Sequence, residues 1–93
     1  MGDKKGQRSL ERAKMSPHGW RRTELDELYK SYGFVIDAGA KHDIVKHPDY
    51  PILRATLTRS SGALHPDYIR HAVDMIKKLL KRQQEKLEEA KNE

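Results

Sequence analysis

The chain has 93 residues, of which 35% are hydrophobic and 35% are charged. A typical globular domain has about 45–50% apolar and about 25% charged residues, so part of the chain is not expected to form a core. The length allows one small domain and excludes dinucleotide-binding folds and large multi-domain enzymes. The absence of cysteine excludes disulfides, thiolate zinc sites and cysteine nucleophiles.

The net charge of +5 is distributed unevenly along the chain. Residues 1–22 and 38–82 each carry +5, whereas residues 23–37 carry −3 and residues 83–93 carry −2. Two basic zones suit a polyanion such as nucleic acid. A charged surface that serves only solubility would give the same net charge.

The sequence offers no segment that predicts a membrane or secreted protein. No apolar run approaches the roughly 18 residues of a membrane span. No apolar segment follows residues 1–7, so a signal peptide is not predicted. Together with the lack of cysteine, this favours a cytoplasmic protein.

The first elements in chain order are an arm and a helix. Residues 1–19 contain no sustained apolar stripe, and residues 16–19 (Ser-Pro-His-Gly) are typical of a turn, so we predict a flexible basic arm over 1–19. A helix is predicted from Thr23 as N-cap to a stop at Gly33. Its apolar stripe consists of Leu25, Leu28, Tyr29 and Tyr32.

Three strands and a second helix follow. The β-favouring segments are 34–36, 42–47 and 52–58, and their short connections predict antiparallel pairing. A helix is predicted from Pro66, and its apolar stripe fades after Leu80.

The predicted fold is therefore α+β, in the order helix-β-β-β-helix. We expect a three-stranded antiparallel sheet with two helices on one face. The domain is expected to cover residues 20–82, and residues 83–93 are expected to form a charged extension of the last helix.

His42 is the candidate catalytic residue. Histidine can accept and donate a proton near neutral pH, and His42 follows Gly39-Ala40-Lys41, a small-residue turn that lets a ligand approach closely. RNA self-cleavage needs a base for the 2′-OH proton, a cation such as Lys41 for the charge on phosphorus, and an acid for the leaving oxygen. A surface histidine in a hairpin fits the same spacing, so both interpretations stay open here.

Three further side chains are candidates for contact with phosphate. Arg54 and Arg59 come from the third strand and its end. His65 precedes the last helix, where it could cap the helix or contact a phosphate. A metal site is not predicted, because His42 and His47 face opposite sides of a strand.

These segments resemble HicA-type toxins. Residues 32–34 (Tyr-Gly-Phe) and 39–44 (Gly-Ala-Lys-His-Asp-Ile) are similar to that family's glycine-then-histidine signature. Residues 55–59 (Ala-Thr-Leu-Thr-Arg) and 64–70 (Leu-His-Pro-Asp-Tyr-Ile-Arg) resemble its third strand, loop and final helix. The resemblance covers about residues 22–80.

The resemblance implies a fold similar to double-stranded-RNA-binding domains and cleavage of mRNA without a metal or other cofactor. It implies that Gly39 forms the structural turn and that His42 is the catalytic histidine. It also implies a HicB-like antitoxin as the protein partner.

The chain departs from the family in two motifs. Ala40-Lys41 stands where the commonest form has Gly-Ser, and residues 57–60 (Leu-Thr-Arg-Ser) stand where Val-Pro-Arg-His is common. Only Arg59 of the second motif is retained.

Two alternatives therefore stay open. One is a non-catalytic RNA-binding module, although such modules read phosphates with a lysine-rich start of the last helix, and residues 65–70 contain no lysine. The other is a protein-interaction domain whose charges lie only on its surface.

Overall fold

The computed structural model describes residues 4–59 and 62–91. Predictions for residues 1–3, 60–61 and 92–93 lie outside these ranges. The elements in chain order are α1 Lys4–Met15, α2 Arg22–Ser31, β1 Val35–Ala38, β2 Asp43–Lys46, β3 Arg54–Leu57 and α3 Pro66–Lys91.

The described part of the chain is an α+β fold with one antiparallel sheet, as the sequence predicts. The strand order is β1-β2-β3, so each strand pairs with its neighbour in the chain. Such pairing follows from connections that are too short for a parallel crossover. Helices α2 and α3 match the two predicted helices, and α1 is an addition to them.

The two faces of the sheet have different surroundings. Side chains alternate along a strand, and Val45 and Leu57 point into the core, where they are 0% and 1% exposed. Ile36 and Ala55 are the cross-strand partners of Val45 and pack against the same core. The other side, here named the open face, carries Val35, Asp37, Ile44, Lys46, Arg54 and Thr56.

The sequence predicts a flexible basic arm over residues 1–19, and most of its described part, residues 4–19, is helical. It contains α1, which contacts both α2 and α3, and Leu10 and Ala13 are 5% and 2% exposed in the shared core. Gly6 lets α1 come close to the end of α2, because a Cβ there would lie 2.9 Å from Ser31 Oγ. Two buried side chains are a weak helical pattern, and tertiary packing stabilises the helix.

Trp20 closes the connection between α1 and α2. Its side chain is 1% exposed, and its indole N–H donates to the carbonyl of Ser16 at 2.8 Å. Its own carbonyl accepts a hydrogen bond from the Leu64 N–H at 2.7 Å. The Arg12 guanidinium lies 4.4 Å from the centroid of the ring, a cation–π contact. The connection is thus tied to the loop before α3.

The start of α2 differs from the prediction, and its end agrees. The N-cap is Arg21 rather than Thr23, and the Glu24 carboxylate accepts a hydrogen bond from the Arg21 N–H at 3.1 Å. Gly33 has a φ of +86°, and the N–H groups of Gly33 and Phe34 donate to carbonyls of the last turn at 3.0 and 3.1 Å. This pair of bonds is a Schellman motif, which stops the helix as predicted.

Helix α3 begins at Pro66, as the sequence predicts, and is 26 residues long. Its first fourteen residues supply Ile69, Ile76 and Leu79 to the core, each 0% exposed. Residues 81–89 are all exposed, so the C-terminal part of the helix extends beyond the core. Within the described ranges, no helix combines the length and the apolar character that a bilayer crossing needs.

The packing of α1 predicts a difference in stability between two substitutions on the same helix. Leu10→Ala removes a buried side chain and should lower the free energy of unfolding by about 2 kcal/mol or more. Met15→Ala is the matched control, because Met15 is 84% exposed and its loss should change stability by less than about 0.5 kcal/mol. Urea denaturation measures both, and equal midpoints for the two variants would contradict the packing of α1.

Candidate functional site at the β1–β2 hairpin

The glycine turn lies at the tip of the β1–β2 hairpin. The sequence predicts a turn at Gly39-Ala40-Lys41, and in the structure the turn occupies 39–42, after β1 ends at Ala38. The Gly39 N–H donates to the His42 carbonyl at 3.0 Å, and a Cβ at Gly39 would overlap that carbonyl oxygen. Gly39 is therefore required by lack of space and not by a positive φ.

A series of ion pairs holds this turn in place. Asp43, the first residue of β2, accepts a hydrogen bond from Arg59 Nε at 2.9 Å and pairs with Arg22 Nη2 at 2.8 Å. Arg59 Nη2 also donates to the carbonyl of Gly39, and Arg22 pairs with Asp26 at 2.6 Å. We name Arg22, Asp43 and Arg59 the turn clasp. It connects the start of α2, the start of β2, the end of β3 and the turn.

The centre of the turn clasp is shielded from solvent. The side chains of Arg22 and Asp43 are 14% and 15% exposed, and that of Arg59 is 43% exposed. The hydrogen bond from Arg59, followed by that from Arg22, holds the pKa of Asp43 below its ordinary value, although partial desolvation acts in the opposite direction. Asp43 is therefore ionised at neutral pH, and all three charges of the clasp are present.

Lys41 and His42 lie at the exposed tip of the hairpin. Both side chains are exposed, and neither makes a hydrogen bond or ion pair with another residue of the described ranges. Arg59 contacts the chain on both sides of His42, through the Gly39 carbonyl and Asp43. The hairpin tip thus brings together a proton-transfer group and two cationic side chains.

Arg54, the fourth member of the predicted cluster, lies elsewhere. The register pairs Asp43 with Leu57 and Lys46 with Arg54, so Arg54 is at the opposite end of β3 from the turn. Three residues of strand separate the two positions, which corresponds to about 10 Å. The predicted group of cations is therefore divided between the hairpin tip and the far end of the open face.

His65 caps α3. Its Nδ1 accepts a hydrogen bond from the Asp67 N–H at 3.1 Å, which is the capping role that the sequence suggests. The Asp67 carboxylate lies 3.5 Å from the same nitrogen. A contact of His65 with phosphate stays a prediction.

Sequence reasoning misses the role of His47. Its ring is buried in the core at 5% exposure, where Nδ1 accepts the Asp49 N–H at 3.1 Å and the ring packs edge-on against Phe34 with centroids 5.0 Å apart. Gly33 leaves space for it, because a Cβ there would lie 3.2 Å from His47 Nε2. The available signal was the two-residue alternation from Val45, which places position 47 on the buried side.

A shallow groove of about 370 Å³ lies on the open face, at the end of β2 away from the turn. Lys46 forms an ion pair with Asp37 at 2.8 Å across this groove. Arg54 makes no ion pair or hydrogen bond with any other described residue. We name it the open-face groove, and its lining consists of Asp37, Ile44, Lys46, His47, Pro48, Pro51 and Arg54.

The described residues contain no cluster of three or more histidine, aspartate or glutamate side chains that could hold a metal ion.

Comparison with known proteins gives no match among family models, curated proteins or solved structures.

The close contact at the turn predicts that Gly39 cannot be replaced by alanine without cost. The added Cβ overlaps the His42 carbonyl oxygen, so the tip must shift, and we expect a loss of about 1–3 kcal/mol in the free energy of unfolding. Gly62→Ala is the matched control, because a Cβ at Gly62 meets no atom within 4 Å in the described part of the chain. Thermal unfolding measures both variants, and an unchanged midpoint for Gly39→Ala would contradict the contact.

The turn clasp predicts a pH-dependent effect of Asp43→Asn. The variant leaves the Arg22 and Arg59 guanidinium groups without their shared anion, so stability at pH 7 should fall. The folded pKa of Asp43 is lowered, so its contribution is complete above the unfolded pKa of about 3.9 and is lost as pH falls through the folded pKa. The stability difference between wild type and variant should therefore shrink below about pH 4.

Urea denaturation at pH 7 and pH 3 measures this difference. Asp74→Asn is the control, since it removes an exposed pair with Lys78 at 3.0 Å, which is worth at most about 1 kcal/mol. A wild-type advantage over Asp43→Asn that is as large at pH 3 as at pH 7 would rule out the ionised clasp.

Proposed function

We propose that this chain is a HicA-like, RNA-binding endoribonuclease that cleaves mRNA and uses His42 as its catalytic residue. One observation carries the proposal: an exposed histidine stands beside Lys41 at a hairpin tip, and the Arg59 guanidinium is bound to the chain on both sides of it. The resemblance in sequence supplies the substrate class, and the geometry supplies the chemical groups.

The chemistry of such a tip follows from the reactivity of RNA. The 2′ oxygen attacks the adjacent phosphorus and the bond to the 5′ oxygen breaks, which leaves a 2′,3′-cyclic phosphate and a 5′-hydroxyl. His42 does one of the two proton transfers: it takes the proton of the 2′-OH as a base or gives one to the leaving 5′ oxygen as an acid, since imidazole does both near neutral pH. Water does the other transfer. Lys41 stabilises the negative charge that develops on the phosphate oxygens.

Arg59 has mainly a positioning role in this proposal. Its Nε and Nη2 are occupied by Asp43 and the Gly39 carbonyl, so the guanidinium fixes the turn on which His42 stands. Nη1 makes no hydrogen bond to any other described residue. This nitrogen is the part of Arg59 that remains for a phosphate oxygen.

The start of α3 argues for single-stranded rather than duplex RNA. Modules that bind double-stranded RNA do so by its shape and phosphates, and here the first turn of α3 carries Asp67, which pairs with Arg70 at 3.1 Å. Lys41 and Arg59 lie at the hairpin instead, where an unpaired strand can bend around the tip.

The proposal includes the partner and the compartment that the resemblance implies. A HicB-like antitoxin would restrain the nuclease by covering the exposed tip with Lys41 and His42. Both proteins would act in the cytoplasm, where mRNA is found.

The decisive variant is His42→Ala. Loss of a general acid or base lowers the rate of a reaction by about 10²–10⁴-fold, so cleavage of mRNA by the purified variant should fall by at least about 100-fold, and induced expression should no longer arrest growth. His71→Ala is the matched control, because His71 is also exposed but lies on α3, and it should cleave at the wild-type rate.

The outcomes separate the three possible functions. Cleavage by His42→Ala at the wild-type rate would disprove the assignment of His42. Salt-sensitive RNA binding by the wild type without cleavage would identify a non-catalytic RNA-binding module. Stable capture of a protein with no RNA affinity at low salt would identify an interaction domain.

A further inference from the structure

We infer that the open-face groove binds the RNA segment next to the scissile phosphate, as a single strand that follows β2 away from the hairpin tip. The inference rests on the proposed function and adds to it the path of the substrate. It assigns Arg54, which lies too far from the turn for the cleavage site, to the binding of a neighbouring phosphate.

The groove and the hairpin tip belong to the same strand. Ile44 and Lys46 lie on the open face because side chains alternate along β2, and His42 directly precedes this strand. Four residues separate His42 from Lys46, a distance of about 13 Å along a strand. Stacked nucleotides rise by about 3.4 Å each, so a segment of at most about four nucleotides spans both places.

The charge of the groove suits one phosphate. Lys46 and Arg54 are cross-strand neighbours, and Asp37 balances the charge of Lys46 at 2.8 Å, so Arg54 supplies the net positive charge. Its guanidinium makes no ion pair or hydrogen bond within the described ranges, and its planar set of N–H donors matches the geometry of a phosphate. The Lys46–Asp37 pair is exposed and weak, so Lys46 can exchange its partner for a second phosphate oxygen.

The remaining lining of the groove suits a base rather than a second phosphate. Ile44, Pro48 and Pro51 give it an apolar surface, and the face of a nucleobase is apolar as well. Bases are free to lie on such a surface only in single strands, because a duplex hides their faces by stacking and pairing. The groove therefore favours single-stranded over duplex RNA and has little means to distinguish bases.

Binding is measured on the His42→Ala background, so that cleavage does not remove the probe. The probe is a fluorescein-labelled twelve-nucleotide RNA of mixed sequence, and anisotropy gives its affinity at several salt concentrations. Arg54→Gln should weaken binding about fivefold or more, because a hydrogen-bonded phosphate contact is lost. The slope of log affinity against log salt should become shallower by about 0.7, the value for one contact to a single strand.

Arg82→Gln is the matched control, since Arg82 is an exposed arginine on the extension of α3 and its loss should leave affinity within twofold. Backbone amide shifts on titration with the same RNA should be largest at Ile44, Lys46 and Arg54 on the open face. A duplex RNA of the same length should bind with equal affinity to the His42→Ala protein with and without Arg54→Gln.

Three results would contradict the binding of RNA in the groove. They are no RNA binding by the His42→Ala protein at low salt, equal losses of RNA affinity from Arg54→Gln and Arg82→Gln, or amide shifts confined to α1 and α3. Displacement of the RNA by polyglutamate with an equal dependence on Arg54 would indicate an acidic protein segment as the occupant. The two proposals can fail separately. Cleavage that depends on His42 but not on Arg54 removes only the groove, and RNA binding that depends on Arg54 with cleavage unaffected by His42→Ala removes only the assignment of the catalytic residue.

Discussion

The carboxylate of Asp43 lies between two guanidinium groups, and the position of the hairpin follows from this arrangement. A two-stranded hairpin alone is at best marginally stable in water. Here Asp43 ties it to α2 through Arg22 and to the end of β3 through Arg59, and Arg22 also donates to the Thr58 carbonyl at 3.0 Å. With Asp43 removed, Arg59 would lose its anionic partner, and Arg22 would keep only Asp26. The tip can therefore be exposed and still keep a fixed shape.

The sequence predicted the parts of the fold that depend on local backbone chemistry. Gly33 stops α2 because its positive φ needs a residue without a Cβ, and Pro66 begins α3 because a proline has no N–H to leave unpaired. The antiparallel order of the strands followed from their short connections. These features can be predicted from the sequence because each one is determined by a few neighbouring residues.

The missed features depend on contacts between distant parts of the chain. Helix α1 is stabilised by the burial of Leu10 and Ala13 against α2 and α3. The sequence around residue 10 does not indicate that these two helices pack against it. In the candidate site, Gly39, Lys41 and His42 could be grouped because they are adjacent. From the sequence alone, Arg54 and Arg59 are equivalent candidates for contact with phosphate, since both come from the third strand or its end. Only the strand register shows that Arg59, and not Arg54, reaches the turn. The pairing of Arg22 with Asp43 likewise leaves no periodic signal.

The length of α3 has a consequence for how the molecule rotates in solution. At about 1.5 Å per residue, its 26 residues form a rod of about 39 Å, which fits only the longest of the three dimensions of 49, 30 and 19 Å. Rotation of such a body is anisotropic, and the N–H bonds of a helix lie nearly parallel to its axis. Amides of α3 are therefore reoriented mainly by the slow end-over-end motion, and their transverse relaxation in NMR will be faster than that of amides in the sheet even where both are equally rigid.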